Sequence, residues 1–315
     1  MQKTDGKIDS RIDGQHFQIQ WFPGHMTKAK RMMEDQIKLV DVVVELLDAR
    51  IPRSSANPML KKLIGNKPKI VVLNKTDMAD AEVTARWLDY FKKNNFTALE
   101  IDCQKGKGIK ALVGAIQKAG QPAIEKWLKK GVRNRAVRVM IVGIPNVGKS
   151  TLINRLIGKN KTVTQNKPGV TRGPQWVTLG KNLELLDTPG VLWPKFENPE
   201  TGFNLAVTGA IREEVFDQTI AVQILIGRLA RWYGQQLSAV YGVELAEGST
   251  PEQLEQAIAR SRGWLKAGGA LDMSKTIQML LRDFKLGKMG RFTLELPPQP
   301  KKEQLLKEAD HEPVH

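Results

Sequence analysis

The residues best suited to bind a nucleotide form the segment GIPNVGKS, which runs from Gly143 to Ser150. It matches the phosphate-loop pattern G-x-x-x-x-G-K-[ST], in which backbone N–H groups surround phosphate oxygens. Lys149 would neutralise the β- and γ-phosphates, and the Ser150 hydroxyl would be a ligand for Mg²⁺. A strand-like run precedes the loop and a helix-like run follows it, as the pattern requires. The predicted phosphate-binding residues are Asn146, Val147, Gly148, Lys149, Ser150 and Thr151.

A second motif, NKTD at 74–77, indicates which base the site accepts. Asp77 can accept hydrogen bonds from N1–H and the exocyclic amine of guanine, whereas adenine would leave the carboxylate unpaired. Asn74 can bond the other edge of the base and tie neighbouring loops, and the stem of Lys75 can cover the ring. The predicted base-binding residues are Asn74, Lys75, Thr76 and Asp77, together with Asp102 and Cys103 on a further loop where only backbone contacts are expected.

Two more segments predict contacts with the γ-phosphate and Mg²⁺. DTPG at 187–190 places Asp187 at the end of a predicted strand, where its carboxylate can hold the metal's ligand shell. The N–H of Gly190 can then meet a γ-phosphate oxygen. Thr171, in PGVTRG, is the candidate threonine that closes over Mg²⁺, and Thr164 competes with it for that role. The predicted metal ligands are therefore Ser150, Thr171 and Asp187.

The elements that must position these motifs alternate between strand and helix. Apolar runs such as VVVELLD and KIVVLN read as buried strands, and segments with helical spacing separate them. This alternation predicts an α/β fold with a mainly parallel sheet and helices on both faces. After about residue 195 only helical segments follow. One of them begins at Thr250-Pro251-Glu252-Gln253, a capping box with proline at the first helical position.

The guanine motif comes before the phosphate loop in this chain, and this order of motifs resembles that of a known protein family. With WFPGHM, DARIP, NKTD, GIPNVGKS and DTPG in this sequence, residues from about 17 to about 290 resemble the circularly permuted GTPases, and among them the bacterial ribosome-assembly factors. The resemblance implies a P-loop GTPase fold, circularly permuted, followed by a small all-helical domain. The predicted division is a disordered lead at 1–16, the GTPase domain at 17–198, a helical RNA-binding domain at 199–292 and a flexible tail at 293–315.

The resemblance also implies a function and its partners. It predicts GTP hydrolysis that is stimulated by the large ribosomal subunit. The missing glutamine described below predicts slow hydrolysis by the protein alone, the composition favours a cytoplasmic protein, and a monomer is the expected oligomeric state. By the resemblance, the protein would bind the precursor of the large (50S) subunit through rRNA and ribosomal proteins, act late in its maturation, and leave after hydrolysis. GTP and GDP are the expected nucleotides, with Mg²⁺ as cofactor. A different reading is a GTP-gated binding module that recruits a protein partner, with hydrolysis incidental.

The sequence lacks one side chain that small GTPases use in catalysis. Val191 and Leu192 follow DTPG where small GTPases carry a water-orienting glutamine, so another group must place the water. His25, in FPGHM, is the catalytic candidate, with a structural or RNA-contacting role as the alternative. Asn146 raises the possibility of a K⁺ ion beside the phosphates, although an asparagine also suits a tight turn.

Charge favours a polyanionic partner. The chain carries 49 Lys and Arg against 33 Asp and Glu, a net charge of +16, with an isoelectric point near 9.8. On the predicted helix near 274–286, Lys275, Arg282 and Lys285 lie opposite the apolar side and are the predicted RNA-binding residues. A single cysteine excludes an internal disulfide framework, and no apolar run approaches the roughly 18 residues of a membrane span.

Overall fold

The computed structural model describes residues 7–20, 26–158, 176–179, 182–186, 192, 198–244, 246 and 248–299. The strands are β1 Lys7–Ile12, β2 Gln15–Gln20, β3 Val42–Asp48, β4 Lys69–Asn74, β5 Thr97–Glu100, β6 Val137–Val142, β7 Trp176–Leu179 and β8 Leu183–Leu186. The helices are α1 Met26–Lys38, α2 Pro52–Ser55, α3 Leu60–Ile64, α4 Ala81–Lys93, α5 Ile109–Leu128, α6 Lys149–Gly158, α7 Pro199–Val207, α8 Gln218–Tyr241, α9 Pro251–Ser261 and α10 Met273–Lys285.

The main sheet has the strand order β5-β4-β3-β6-β8-β7, with β7 antiparallel to β8 and every other pairing parallel. β6 leads into the phosphate loop and occupies an interior position, although it is sixth along the chain. The strand that carries the guanine motif, β4, lies two places away on the far side of β3. The predicted mainly parallel α/β sheet is confirmed, and its interior strands are buried as parallel sheets require.

Helices cover both faces of this sheet. Alternate residues of β3 point to opposite sides, so Val42 and Val44 join the core beneath α5 and α6, whereas Val43 joins the core beneath α1 and α3. Leu47 packs with α4, where Trp87 is the largest buried side chain. Among the described residues, no helix is long and apolar enough to cross a membrane.

Helices α7 to α10 form the helical region that the sequence predicts. Thr250 caps α9 as expected, because its side chain accepts from the N–H of Gln253 and the Gln253 side chain accepts from the N–H of Thr250. Leu280, Leu281 and Phe284 of α10 are buried, which confirms the predicted apolar side of that helix.

The disordered lead predicted for residues 1–16 is wrong from residue 7 onward. β1 and β2 form an antiparallel hairpin whose turn, Asp13-Gly14, has positive φ at both residues, as a two-residue type I′ turn needs. The hairpin buries Ile12, Phe17 and Ile19 against the helical region. At its tip the buried Arg228 of α8 pairs with Asp13, and the same guanidinium bonds Glu200 of α7.

The flexible tail predicted from residue 293 is also wrong for its first residues. The N–H of Leu294 donates to the carbonyl of Arg50, and the indole of Trp87 donates to the carbonyl of Glu295 at 2.8 Å. The Glu295 carboxylate accepts from the N–H groups of Arg53 and Ser54 at the start of α2. The segment after α10 is therefore bonded to the sheet domain.

Candidate functional site

Asn74 joins three loops at the carboxyl edge of the sheet. Its side chain is buried, and its Nδ2 donates to the carbonyl of Val147 in the phosphate loop at 2.8 Å. Its Oδ1 accepts from the N–H of Cys103 at 3.1 Å. The guanine motif, the loop after β5 and the phosphate loop are thus held together by one amide, as the predicted tying role of Asn74 requires.

A pocket of about 150 Å³ lies among these loops. Its lining combines the predicted base-binding and phosphate-binding segments, which are far apart in sequence. The lining residues are Asn74, Lys75, Asp77, Met78, Asp102, Cys103, Gln104, Asn146, Gly148 and Thr151. Ligands of α/β sheets bind in the crevice at the carboxyl ends of the strands, and this pocket lies there.

Gly148 has a packing reason to be glycine. Its φ is +106°, and a Cβ at this position would stand 2.3 Å from Nδ2 of Asn74. The Lys149 ammonium donates to the carbonyls of Gly143 and Ile144 at 3.0 and 2.8 Å, inside the phosphate loop. Ser150 follows in the first turn of α6, whose N-terminal N–H groups suit an anion. These residues fit the triphosphate of a nucleotide.

The guanine motif is a tight turn after β4. Lys75 adopts φ +63°, and the Thr76 hydroxyl donates to the carbonyl of Ile101 at 3.1 Å, which fixes the turn against the end of β5. Asp77 is half-buried and borders the pocket. The turn therefore presents the carboxylate expected to read guanine beside the lysine stem expected to cover it.

A buried ionic network under Lys75 was not foreseen from the sequence. The Lys75 ammonium lies 2.9 Å from Oδ2 of Asp48, and the Arg50 guanidinium donates to both oxygens of the same carboxylate. Asp48 and Arg50 are each only 1% exposed. Burial alone would raise the pKa of Asp48, but the two cations outweigh it and hold that pKa well below its usual range.

The same network reaches the helical region. Arg50 donates through Nη1 to the carbonyl of Phe284 in α10 at 2.8 Å, and its guanidinium lies over the Phe284 ring. Burial lowers the pKa of Lys75, and the Asp48 carboxylate opposes that shift. One carboxylate thus positions the lysine of the guanine motif and an arginine bonded to α10.

Asp102 and Cys103 occupy the loop where sequence reasoning expected only backbone contacts. The Asp102 carboxylate accepts from the N–H of Lys105, so it stabilises its own turn. Burial raises the pKa of the Cys103 thiol to about 12, with Asp102 adding to the shift. The thiol is therefore neutral near pH 7.

Two further contacts connect the nucleotide loops with the helical region. Asn146, at φ +57°, donates through Nδ2 to the carbonyl of Gly209 beyond the end of α7, at 2.7 Å. Arg291, after α10, donates to the carbonyls of Thr76 and Ala79, on either side of Asp77. The phosphate loop and the guanine-motif turn, which both border the pocket, are thus each hydrogen-bonded to the helical region or to the segment that follows it.

The predicted RNA-binding residues of α10 do not share one environment. Lys275 and Arg282 are exposed. Lys285 instead pairs with Glu213 and is only 18% exposed at its side chain, so it differs from the predicted exposed stripe. The reason is that the turn at 213–215 packs against this end of α10, which no helical projection of α10 alone can reveal.

Four predicted site residues, His25, Thr171, Asp187 and Gly190, lie outside the described residues. Of the three predicted Mg²⁺ ligands, Ser150 has a described position. Within the described ranges no group of three or more His, Cys, Asp or Glu side chains could hold a metal ion. Ser150 at the start of α6 is consistent with a magnesium ion whose other ligands come from phosphate and water.

A phosphate loop, a guanine-reading turn in the reverse chain order and a shared pocket define a circularly permuted P-loop GTPase. The family described as 50S ribosome-binding GTPase matches residues 138–226, from β6 into α8. Ribosome biogenesis GTPase A of Priestia megaterium is 48% identical over 89% of this chain and 98% of its own length. Its namesake from Thermotoga maritima is 32% identical over 89% of this chain and 95% of its own length.

Two solved structures are similar to this chain in fold. GNP-bound YlqF from T. maritima has a TM-score of 0.59 at 30% identity and covers 87% of this chain and 100% of that chain. A GDP-bound YlqF structure has a TM-score of 0.61 at 29% identity, covering 85% and 99%. The chain belongs to the ribosome biogenesis GTPase A family, as its motifs indicated, and it is a GTP-hydrolysing enzyme.

Proposed function

We propose that this GTPase acts in ribosome biogenesis, bound to the precursor of the large ribosomal subunit late in its maturation, and leaves after GTP hydrolysis. The observation that carries the proposal is the direct bonding between the nucleotide loops and the helical region. Asn146 bonds Gly209, and Arg291 bonds the turn that holds Asp77. A change at the nucleotide can therefore alter how the helical region sits, and with it the affinity for RNA.

Basic charge supports rRNA as the partner. The net charge of +16 favours phosphate contacts, and Lys275 and Arg282 of α10 are exposed. The names of the relatives, ribosome biogenesis GTPase A, describe the same setting. By analogy with these relatives, we propose that this chain is a cytoplasmic monomer and that it contacts rRNA and ribosomal proteins.

The chemistry is assigned to this chain's own residues as follows. Asp77 binds the guanine edge, Lys149 the β- and γ-phosphates, and Gly190 a γ-phosphate oxygen. Mg²⁺, held by Ser150, Thr171 and Asp187, would neutralise phosphate charge. His25 orients the attacking water.

K⁺ is a further proposed cofactor. Its ligand would be the side-chain oxygen of Asn146, whose nitrogen faces Gly209. Turnover that is equal in K⁺ and Na⁺ would remove this ion from the proposal.

The test is GTP turnover by the purified chain alone, with purified 50S subunits, and with 30S subunits as the control. We expect stimulation by 50S and little by 30S. Lys149→Ala, which removes the phosphate-binding ammonium, should abolish turnover in every arm. Equal turnover in all arms of the wild type, together with GTP-dependent capture of a protein partner, would favour the GTP-gated binding module instead.

A further inference from the structure

A basic and apolar surface lies at the end of the sheet opposite the nucleotide. Residues 129–136 connect α5, which ends at Leu128, to β6, which begins at Val137. This helix end and the amino-terminal ends of β3 and β6 lie together, because Arg135 bonds the carboxylate of Asp41. The six residues of β6 separate this end from the pocket by roughly 20 Å.

Trp127 is the centre of this surface, which we call the Trp127 surface and define as residues 126–135. Trp127 is 36% exposed, and its neighbours Leu128 and Val132 are 49% and 40% exposed. The Arg135 guanidinium lies 4.7 Å from the ring centroid, and the Lys130 ammonium lies 5.4 Å from it. Contiguous exposed apolar side chains that are rimmed by polar or charged groups mark interaction sites on protein surfaces.

The backbone holds this tip in a defined shape. The N–H of Val132 donates to the carbonyl of Trp127, and the N–H of Gly131 to that of Leu128. Gly131 has φ +82°, so the helix ends in a glycine-terminated Schellman-type turn. The exposed apolar side chains are therefore presented by ordered backbone.

The charge of the segment favours one kind of partner. Residues 126–138 contain six Lys and Arg and no Asp or Glu. Arg135 is paired with Asp41 and Arg138 with Glu184, which leaves four exposed cations at 126, 129, 130 and 133. Cations near a helix C-terminus stabilise its dipole, which accounts for one or two of these four but not for the others, nor for an exposed tryptophan. Proteins bind unpaired nucleotides by combining cationic phosphate contacts with aromatic stacking of the bases.

We propose that the Trp127 surface is a second RNA-binding surface, on which an unpaired base stacks against Trp127 while Lys129, Lys130 and Arg133 contact the phosphates. It rests on the proposed function in that the RNA is taken to be that of the ribosomal precursor. Because it lies at the opposite end of the sheet from the pocket, its contact with RNA is separate from that of α10.

The test is the affinity of the full chain, by fluorescence anisotropy, for a labelled RNA hairpin with an unpaired loop and for a blunt RNA duplex. Trp127→Ala should weaken hairpin binding about tenfold and leave duplex binding nearly unchanged. Trp127→Phe should restore most of the loss. The matched control is Trp232→Ala, because Trp232 is 48% exposed and also has an arginine, Arg228, near its ring. It should bind the hairpin as the wild type does, and GDP affinity should be unchanged in all three variants.

Salt dependence tests the phosphate contacts. The double variant Lys129→Gln/Lys130→Gln should lower the slope of log affinity against log salt by about 1 to 2. Hairpin binding unchanged by Trp127→Ala, but lost in Lys275→Gln/Arg282→Gln, would overturn the Trp127 surface and keep α10 as the RNA contact. Trp127-dependent binding to phosphatidylserine vesicles, with none to the hairpin, would overturn it in favour of a membrane. If the wild type bound neither RNA, the proposed function would fail with it.

Discussion

Asp48→Asn tests whether the buried carboxylate positions the guanine motif. Asparagine keeps the shape of aspartate but removes its charge, so Lys75 and Arg50 lose their shared counter-ion. Asp48 and Arg50 are 1% exposed, whereas the side chain of Lys75 is 17% exposed and can turn toward water. Arg50 also bonds the carbonyl of Phe284, so it cannot leave without disturbing α10.

Two effects of different size follow. Breaking a buried ion pair costs roughly 3–5 kcal/mol, and we expect about 3 kcal/mol in the free energy of unfolding, because Lys75 can be rehydrated. For GDP, the lost restraint on Lys75 is one charge-assisted hydrogen bond, worth about 1.5–3 kcal/mol. The dissociation constant for GDP should therefore rise about 10- to 100-fold.

The assay is GDP titration calorimetry well below the unfolding temperature, with urea unfolding of the nucleotide-free protein for stability. Glu45→Gln is the matched control, because Glu45 lies on the same strand, is buried, and pairs with Lys69 at 2.7 Å. It should lose stability without losing GDP affinity. GDP affinity within twofold of wild type in Asp48→Asn, or an equal loss in both variants, would refute the positioning role.

Three other substitutions test separate parts of the structure. Gly148→Ala should abolish GDP binding measured by calorimetry, because its Cβ would stand 2.3 Å from Nδ2 of Asn74; retained affinity would show that the loop relaxes. Burial, with the nearby Glu252 adding, raises the pKa of Glu255 to about 7, and its Oε1 lacks a hydrogen-bond partner among the described residues. Between about pH 4.5 and 7 the folded state keeps a proton on Glu255 that the unfolded state loses. The contribution of Glu255 to the free energy of unfolding therefore falls as pH rises through this range. Glu255→Gln should therefore stabilise by about 2 kcal/mol at pH 8 and by little at pH 4 in urea unfolding; equal effects at both would contradict this. Arg228→Ala should lower the free energy of unfolding by about 2 kcal/mol and speed proteolysis of the β1–β2 hairpin, because Asp13 loses its partner. Unchanged proteolysis would show that the Arg228–Asp13 pair does not hold the hairpin in place.

The nucleotide loops were predictable because the functional residues of each loop are adjacent in the sequence. GIPNVGKS and NKTD each follow an apolar strand, and the carboxyl ends of parallel strands meet at one edge. The Asp48–Lys75 contact follows from the same rule, since Asp48 and Asn74 are paired at the ends of β3 and β4. The sequence reasoning missed it because DARIP was taken only as a family signature.

The N-terminal hairpin carried a local signal that its polar composition concealed. Asp13-Gly14 lies between two segments in which apolar residues are separated by polar ones, with Ile8 and Ile12 before the turn and Phe17 and Ile19 after it. The segment after α10 carried no such signal. Its order depends on the indole of Trp87 and the start of α2, about 200 residues earlier in the chain, and only the folded structure brings them together.

The identity of the accepted base is the most direct test of the site. Guanine offers two donors to the Asp77 carboxylate, whereas xanthine has a carbonyl in place of the exocyclic amine. An asparagine at position 77 can accept from N1–H and donate to that carbonyl. Titration calorimetry of Asp77→Asn should therefore show weaker GDP binding by at least about tenfold and tighter XDP binding than in the wild type. GDP affinity unchanged by the substitution would contradict the assignment of this pocket to guanine.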